Sequence, residues 1–219
     1  MRLPLLDERL QKAANMFPAC AYGADIGADH GRLSCYLLAH NRCKRMCVSD
    51  LSAPSLEKAK RLISMHGMAE RADFCVGDGL LVLHEKADAI AVLGMGGKTI
   101  ATILQQGKDK LQGARLIVSA HTEVPLLRKA LVSVGYTIED EEIAHAGGRF
   151  YILINAVPGD GSYSEEELLI GPKLMQQKKE HYIPYLEWRR GVLSCENSDE
   201  GKKQLAMIEE ALKNAADSQ

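Results

Sequence analysis

The chain has 219 residues, of which 46% are hydrophobic and 26% charged, and its formal net charge is -2. This usage is typical of a folded globular protein and excludes a disordered, collagen-like or disulfide-stapled chain, while the near-neutral charge leaves any nucleic-acid surface to a local basic patch. No run approaches the roughly 18 apolar residues of a membrane span, and the first residues lack a signal-peptide core, so we expect a cytoplasmic protein with no membrane contact.

The first 134 residues predict an alternation of helices and strands. Apolar residues at helical spacing between Leu3 and Phe17 predict an amphipathic first helix. Short apolar runs predict strands over 19–26, 45–49, 72–76, 87–93 and 115–119. Helical stretches between the strands cover 32–40, 54–66, 98–106 and 124–134. This alternation is typical of βαβ units around a parallel sheet.

The next segment predicts an antiparallel hairpin. Two apolar runs, 136–144 and 149–157, are separated by a short segment that contains Gly147 and Gly148. Paired glycines of this kind supply the left-handed backbone that tight hairpin turns require. We therefore predict a Rossmann-like α/β domain over 1–158, with a parallel sheet that ends in an antiparallel hairpin.

The remainder, 159–219, predicts a small helical, coiled-coil-like domain. It follows a Pro- and Gly-rich linker and lacks β-branched strand runs. The apolar spacing in its last part is typical of a helix seam, so we expect two antiparallel helices around the polar turn 194–201. Pro184 should kink or split the first helix, because proline lacks a backbone donor and clashes with the preceding turn.

The first predicted strand leads into the run Ala24-Asp25-Ile26-Gly27-Ala28-Asp29-His30-Gly31. Glycines at a strand-to-helix turn let a ligand approach the backbone, next to unpaired helical N–H groups. The run departs from the GxGxxG pattern of dinucleotide sites and places Asp25 two residues before Gly27. A carboxylate there suits an ammonium group and repels a pyrophosphate, which favours S-adenosylmethionine over NAD. The alternative is a tight turn with capping aspartates.

Two further acidic residues follow the next two predicted strands. Asp50 lies at the end of the second, where a carboxylate can accept both hydroxyls of an adenosine ribose, although an N-cap role is the alternative. Asp78 lies between Gly77 and Gly79 after the third, where it can accept from an adenine amino group. A plain turn is the alternative for Asp78.

The fourth predicted strand leads into Gly94-Met95-Gly96-Gly97-Lys98-Thr99. Gly97-Lys98-Thr99 matches the end of a P-loop, but the glycine that a P-loop needs five positions earlier is Val92. We therefore reject phosphate binding. A small-residue loop at the carboxyl edge of a sheet instead suits the place where a methyl acceptor meets the cofactor, with room for a flat base.

The six cysteines form no CxxC pair and have no closely following histidine pair. Cys43 and Cys47 are four residues apart and would share a helix face, but two further ligands of suitable spacing are missing. We expect the cysteines to be reduced and propose no metal.

With these loops in register, the sequence resembles the bacterial tRNA (adenine-22-N1)-methyltransferase family. That family has a D-I-G-[SA]-D-H first motif and a G-M-G-G fourth motif, which correspond here to 25–30 and 94–97. The resemblance covers essentially the whole chain and implies a class I methyltransferase fold that uses S-adenosyl-L-methionine to methylate N1 of an adenine in the D-region of tRNA. Unlike the general D-x-G-x-G-x-G pattern, the chain has Asp29 at the middle glycine.

The resemblance and the motifs together define the expected site. The cofactor-binding residues are Asp25, Gly27, Ala28, Asp50, Leu51, Asp78, Gly79 and Gly94. The substrate-binding residues are Met95, Gly96, Gly97, Arg149, Lys178 and Arg189. The catalytic residues are Asp29 and His30, because methylation of N1 leaves a positive base that a carboxylate stabilises. His30 would hold Asp29 or touch substrate, with a structural role as the alternative.

The expected partner is tRNA, which would contact basic and aromatic residues interleaved over 173–190, such as Lys178, Arg189 and Trp188. The alternative is a solvated helix whose aromatic residues pack on the sheet domain. Phe150 and Tyr151 are expected to pack in the final strands. Other open functions are methylation of a small molecule or protein and a catalytically silent binding module, and the oligomeric state stays open between monomer and weak dimer.

Overall fold

A computed structural model describes residues 3–216. Its strands are β1 (Cys20–Ile26), β2 (Cys43–Asp50), β3 (Ala72–Val76), β4 (Ala89–Met95), β5 (Arg115–Ala120), β6 (Tyr136–Ala146) and β7 (Arg149–Pro158). Its helices are α1 (Glu8–Met16), α2 (Arg32–Ala39), α3 (Ala53–Met65), α4 (Gly97–Gln106), α5 (Lys108–Leu111), α6 (Val124–Ser133), α7 (Glu165–Ile170), α8 (Pro172–Gln177), α9 (Tyr182–Leu193) and α10 (Asp199–Ala216). No helix in this range is long and apolar enough to cross a bilayer.

The seven strands form one sheet in the order β3-β2-β1-β4-β5-β7-β6. The first five are parallel, and β7 pairs antiparallel with both β5 and β6. The strand order reverses between β1 and β4, and ligands of open α/β sheets bind at the carboxyl ends of the strands beside such a point. The predicted parallel sheet with an antiparallel hairpin is confirmed.

Two apolar clusters cover the two faces of the sheet. One buries α1, α2 and α3 against the strands around Phe17, Leu37 and Met46. The other buries α4 and α6 around Ile100 and Leu127, and it continues without a break into α7 to α10. The C-terminal helices therefore share a core with the sheet, and the division at residue 158 stays a prediction.

The first helix is shorter than its apolar spacing predicts. It begins at Glu8, because the Asp7 carboxylate caps it by accepting a hydrogen bond of 2.8 Å from the Leu10 amide. Leu3 and Leu6 precede the helix and still pack against the cluster below α1. The predicted apolar contacts of this segment are confirmed, but the helix predicted from Leu3 onward is wrong before Glu8.

The C-terminal part contains four helices instead of the two predicted. Chain reversals at Gly171 and at Lys178 to His181 break the first predicted helix into three, and Lys178 and His181 have φ angles of 45° and 67°. Pro184 lies in the first turn of α9, where a missing N–H costs no hydrogen bond, so the helix splits before it. The antiparallel pair around 194–201 is present as α9 and α10.

A buried ion pair joins the sheet domain to these helices. Arg128 on α6 and Glu141 on β6 are both fully buried, and Arg128 Nε donates to Glu141 Oε1 over 2.8 Å. The other guanidinium nitrogens donate to the carbonyl oxygens of residues 168–170, at the end of α7. Glu141 also accepts from the Lys173 amide at the start of α8. These hydrogen bonds satisfy the carbonyl groups at the C-terminal end of α7, which have no partner within the helix, and they fix the position of α7 on the sheet.

Candidate active site

A cleft of about 500 Å³ lies at the carboxyl ends of β1 and β4. Of the predicted residues, Asp25, Gly27, Ala28, Asp29, His30 and Gly94 line it. Arg9 and His121, which were not predicted from the sequence, also line it, as does Tyr151, which was expected to pack in the final strands. Asp25 and Gly94, which begin the first and fourth motifs and lie 69 positions apart in the chain, are therefore brought to one site by the β1–β4 pairing.

Asp25 is a buried carboxylate in the wall of the cleft, with 4% of its surface exposed. Ser34 Oγ donates to Asp25 Oδ2 over 2.6 Å. Burial, with a smaller effect from the charge of Asp50, raises the pKa of Asp25 to about 6, against the lowering effect of the hydrogen bonds from Ser34. None of the groups that set this pKa is a cation. The arrangement suits a ligand that brings its own ammonium group.

Asp50 is tied to the loop of the first motif. Its Oδ2 accepts from the Asp29 amide over 3.0 Å, and its Oδ1 accepts from the Ser52 amide over 2.8 Å. The amides of Gly27 and Ala28 donate to the carbonyl of Ser49, so the loop lies directly over the end of β2. Two backbone donors fix the Asp50 carboxylate, and its remaining lone pairs are suited to a vicinal diol.

The predicted adenine-side residues lie one strand further out. The Gly77 amide donates to the carbonyl of Asp50, which brings Asp78 and Gly79 beside the end of β2. Leu51 keeps 72% of its side chain exposed at this edge, as an apolar surface for a flat ring. These three residues are outside the cleft that contains Asp25, and their role in cofactor binding stays a prediction.

Asp29 and His30 form a contact pair at the cleft rim. Asp29 Oδ2 lies 2.5 Å from His30 Nδ1, and both side chains are solvent-accessible. Burial would raise the pKa of Asp29, but the hydrogen bond and charge of His30, aided by Lys58, hold it below its usual value. Asp29 has a left-handed φ of 48°, a conformation that Asp and Asn tolerate better than most residues. The carboxylate is therefore ionised at neutral pH and accessible from the cleft.

The fourth motif forms a bulge at the end of β4. The pairing with β5 shifts between Leu93 and Met95, and Gly94 between them has a φ of 81°. A Cβ at Gly94 would lie 3.3 Å from an Arg9 guanidinium nitrogen and 3.7 Å from His121 Nε2. The missing side chain thus lets Arg9 and His121 approach the backbone of the bulge.

The other residues of this motif have different surroundings. The Met95 methyl group lies only 2.0 Å from the position of a Cβ on Gly27, so Met95 packs over the first-motif loop. Gly96 lies beside Thr122 Oγ1. Gly97 is buried, and a Cβ there would lie 2.4 Å from the carbonyl oxygen of Glu123. Packing against the chain after β5 accounts for Gly97, and its predicted contact with substrate stays untested.

His121 follows β5 and faces the same edge. Its ring lies 5.5 Å from the Tyr151 ring, and the Arg9 guanidinium lies 5.3 Å from the centroid of the same Tyr151 ring. Partial burial lowers the pKa of His121, and the charges of Arg9 and Arg149 lower it further. His121 is therefore neutral near pH 7 and able to accept a hydrogen bond.

The predicted substrate cations are dispersed. Arg149 is exposed at the start of β7, close enough to His121 to influence its pKa. Arg189 lines a second cavity beside the cleft. Lys178 lies away from both, where its Nζ donates to the carbonyl of Asn214 over 2.9 Å. The three residues do not form one patch.

Phe150 and Tyr151 do more than pack in the final strands. Tyr151 lines the cleft, and Phe150 lines the second cavity. His121 could have been found by the rule that located Asp50, since it directly follows a parallel strand. No sequence signal marks Arg9, which lies on the helix before β1.

Within residues 3–216, one group of side chains has the composition of a metal site: Glu8, Glu180 and His181. The Lys12 Nζ lies 3.1 Å from Glu8 Oε1 and 3.6 Å from Glu180 Oε2. A lysine therefore occupies the place of a cation, and we assign this group as ion pairs between α1 and the C-terminal helices.

Comparison with known proteins agrees with this geometry. A family model described as a methyltransferase domain matches residues 6–154. The chain is 34% identical over 186 residues to the tRNA (adenine(22)-N(1))-methyltransferase of Bacillus subtilis, which covers 81% of this chain and 78% of that protein.

Two solved structures are similar over nearly the whole chain. The crystal structure of TrmK, the m1A22 tRNA methyltransferase of B. subtilis, has a TM-score of 0.79 and 29% identity and covers 97% of each chain. The Streptococcus pneumoniae protein Sp1610, in complex with S-adenosyl-L-methionine, has a TM-score of 0.89 and 25% identity and covers 95% of this chain and 100% of that one. The present chain belongs to the bacterial tRNA (adenine(22)-N(1))-methyltransferase family.

Proposed function

We propose that this protein transfers a methyl group from S-adenosyl-L-methionine to N1 of the adenine at position 22 of tRNA. The observation that carries the proposal is the cleft that joins the Asp25 and Asp29 motif to the Gly94 bulge, in a chain that shares 34% identity with the B. subtilis enzyme of this activity. A cytoplasmic location follows from the tRNA substrate. Monomer and weak dimer both stay open.

Each part of the cofactor would contact a different residue along the edge of the sheet. Asp25, which has no cationic partner among residues 3–216, would hold the ammonium group, and Asp50, fixed by two backbone amides, would hold the ribose. Asp78 and Gly79 would border the adenine. When bound, S-adenosylmethionine supplies an electrophilic methyl group on a sulfonium centre. The Gly94 bulge and His121 would form the opposite wall, where the acceptor base enters.

The reaction at N1 needs little acid–base chemistry from the protein. The N1 lone pair is available at neutral pH, so positioning the base carries most of the catalysis. Methylation places a positive charge on the ring, which the Asp29 carboxylate would stabilise or relieve by accepting a proton from the amino group. The contact with His30 keeps Asp29 ionised and oriented for this role.

The experiment is methyl transfer from labelled S-adenosylmethionine to unmodified tRNA transcripts, followed by mass spectrometry of the nucleosides. N1-methyladenosine in the wild-type reaction supports the proposal. The Asp29→Asn variant keeps a residue that tolerates the left-handed backbone and removes the charge, so we expect it to bind cofactor normally and to lose roughly 100-fold in kcat. Methylation of a small molecule or protein with no product in tRNA would overturn the assignment.

A further inference from the structure

A second cavity, of about 410 Å³, adjoins the methyl-transfer cleft on the side of the C-terminal helices. His121 lines both spaces, so only this side chain and its neighbours separate them. The walls of the second cavity come from the chain after β5, from the start of β7 and from α9. None of the predicted cofactor residues lines it. The cavity is therefore a separate space at the acceptor side of the cleft.

Aromatic rings form one wall of this cavity. The Phe150 ring centroid lies 6.0 Å from that of Tyr185 and 5.9 Å from that of Trp188. All three residues line the cavity, but Tyr185 is buried, whereas Trp188 is 43% exposed. A large exposed ring held in place by contacts with neighbouring rings is a suitable surface on which a nucleobase stacks.

The polar groups of the cavity complement a nucleotide. The Nε atom of Arg189 is buried and has no hydrogen-bond partner within the described chain. That atom is enclosed by protein, but Arg189 lines the cavity, and its guanidinium group carries further N–H donors that an acceptor on a ligand can meet. Lys129 adds a second positive charge to the wall. The Glu123 carboxylate also lines the cavity, which disfavours a phosphate as the buried group and suits the amino group of a base.

We propose that this cavity holds an unstacked base of the tRNA that flanks the target adenine, with Trp188 as the stacking surface and Arg189 as a polar contact. The inference rests on the proposed function and names a second binding site for the same substrate. An adenine that leaves its stack loses stacking on both sides, which costs a few kcal/mol, and capture of its neighbour would offset part of that cost.

The fluorescence of Trp188 tests this proposal directly, because it is the only tryptophan in the chain. The full-length protein is titrated with unmodified tRNA transcript in the presence of S-adenosylhomocysteine, which prevents turnover, and binding is followed in parallel by the anisotropy of end-labelled tRNA. We expect quenching that saturates with the anisotropy and that persists when the transcript is abasic at position 22. Binding without quenching, or quenching lost with the abasic transcript, would overturn the proposal.

Matched variants of α9 test the same contact by activity. Trp188→Leu should raise the KM for tRNA roughly tenfold with little change in kcat, and Trp188→Phe should restore most of the affinity. Val192→Ala, a loss of another exposed apolar side chain of this helix outside the cavity, should leave KM unchanged. A KM for Trp188→Leu equal to that of the wild type would contradict the proposal.

The proposed contact of Arg189 with tRNA is tested by two matched variants. Arg189→Gln and Arg190→Gln each remove one positive charge from neighbouring positions of α9, but only Arg189 lines the cavity. We expect several-fold weaker tRNA binding for Arg189→Gln alone, and equal effects of the two variants would contradict the proposed contact. A wild-type protein that methylates no tRNA would instead refute the proposed function, so the two failures are distinguishable.

Discussion

The backbone amide of Asp29 donates a 3.0 Å hydrogen bond to Oδ2 of Asp50, which joins the loop after β1 to the end of β2. The hydrogen bond therefore couples the position of the first-motif loop to that of the Asp50 carboxylate. It orients the Asp50 carboxylate, and it stabilises the left-handed backbone that presents the Asp29 side chain at the cleft.

Replacement of Asp50 therefore has a predicted effect on cofactor binding. Asp50→Asn cannot accept from both backbone amides and a ribose diol, because one of its two terminal atoms becomes a donor. We expect the Kd for S-adenosylhomocysteine to rise roughly 30-fold, as measured by calorimetry. Asp160→Asn, an exposed residue after β7, is the charge-matched control. An unchanged Kd for Asp50→Asn would show that ribose is bound elsewhere.

The buried Asp25 carboxylate is predicted to lower the free energy of unfolding of the ligand-free protein while it contributes to cofactor binding. Its pKa is raised from 3.8 to about 6, so the contribution of Asp25 to the free energy of unfolding falls as pH rises between these values and is most unfavourable above pH 6. Asp25→Asn should thus stabilise the ligand-free protein by up to about 3 kcal/mol at pH 7.5, with the gain fading toward pH 4. The same variant should lose cofactor affinity. Urea unfolding at several pH values measures the first effect, and a variant less stable at pH 7.5 would contradict it.

The buried Arg128–Glu141 pair is predicted to be essential for attachment of the C-terminal helices. Arg128→Ala leaves Glu141 and the carbonyls of 168–170 without their partner, which should cost about 3–5 kcal/mol in the free energy of unfolding. The double variant Arg128→Met with Glu141→Leu removes the unpaired charge and should recover part of this loss. Thermal unfolding measures both, and a double variant no more stable than Arg128→Ala would contradict the argument.

Two glycines should respond in opposite directions to the same substitution. Gly97→Ala places a methyl group 2.4 Å from the Glu123 carbonyl oxygen, so the chain after β5 must move, at a cost of about 1–3 kcal/mol. Gly191→Ala lies in α9 with no atom within 4 Å of the new Cβ, and it should stabilise by about 0.5–1 kcal/mol. Equal shifts in Tm for the two variants would show that Gly97 is not packed as described.

The sheet was predictable because periodicity and strand ends carry strong signals. The predicted strand ends lie within two residues of the observed ones, and the paired glycines of the hairpin, Gly147 and Gly148, have φ angles of 57° and 73°. The rule that ligands bind at the carboxyl ends of parallel strands predicted that the two motifs lie at one edge of the sheet, and the first motif and Gly94 of the fourth line one cleft there.

The remaining features depend on packing that no local pattern shows. Arg128 has the appearance of an ordinary exposed helix residue, and Glu141 lies in an acidic run that suggests a solvated face, yet they form a buried pair. Arg9 reaches the site only because α1 packs across the sheet. The break between α8 and α9 depends on left-handed backbone at Lys178 and His181, and a lysine in particular gives no sequence signal for that conformation.

The central claim is methylation at N1 of the adenine at position 22. Methylation at N1 blocks the pairing edge of adenine, whereas a single methyl group on the exocyclic amine still permits pairing, so reverse transcription of the tRNA product distinguishes the two sites. We predict a cofactor-dependent stop of reverse transcriptase immediately before position 22. Full read-through of that position, with methyl incorporated elsewhere or not at all, would contradict the account.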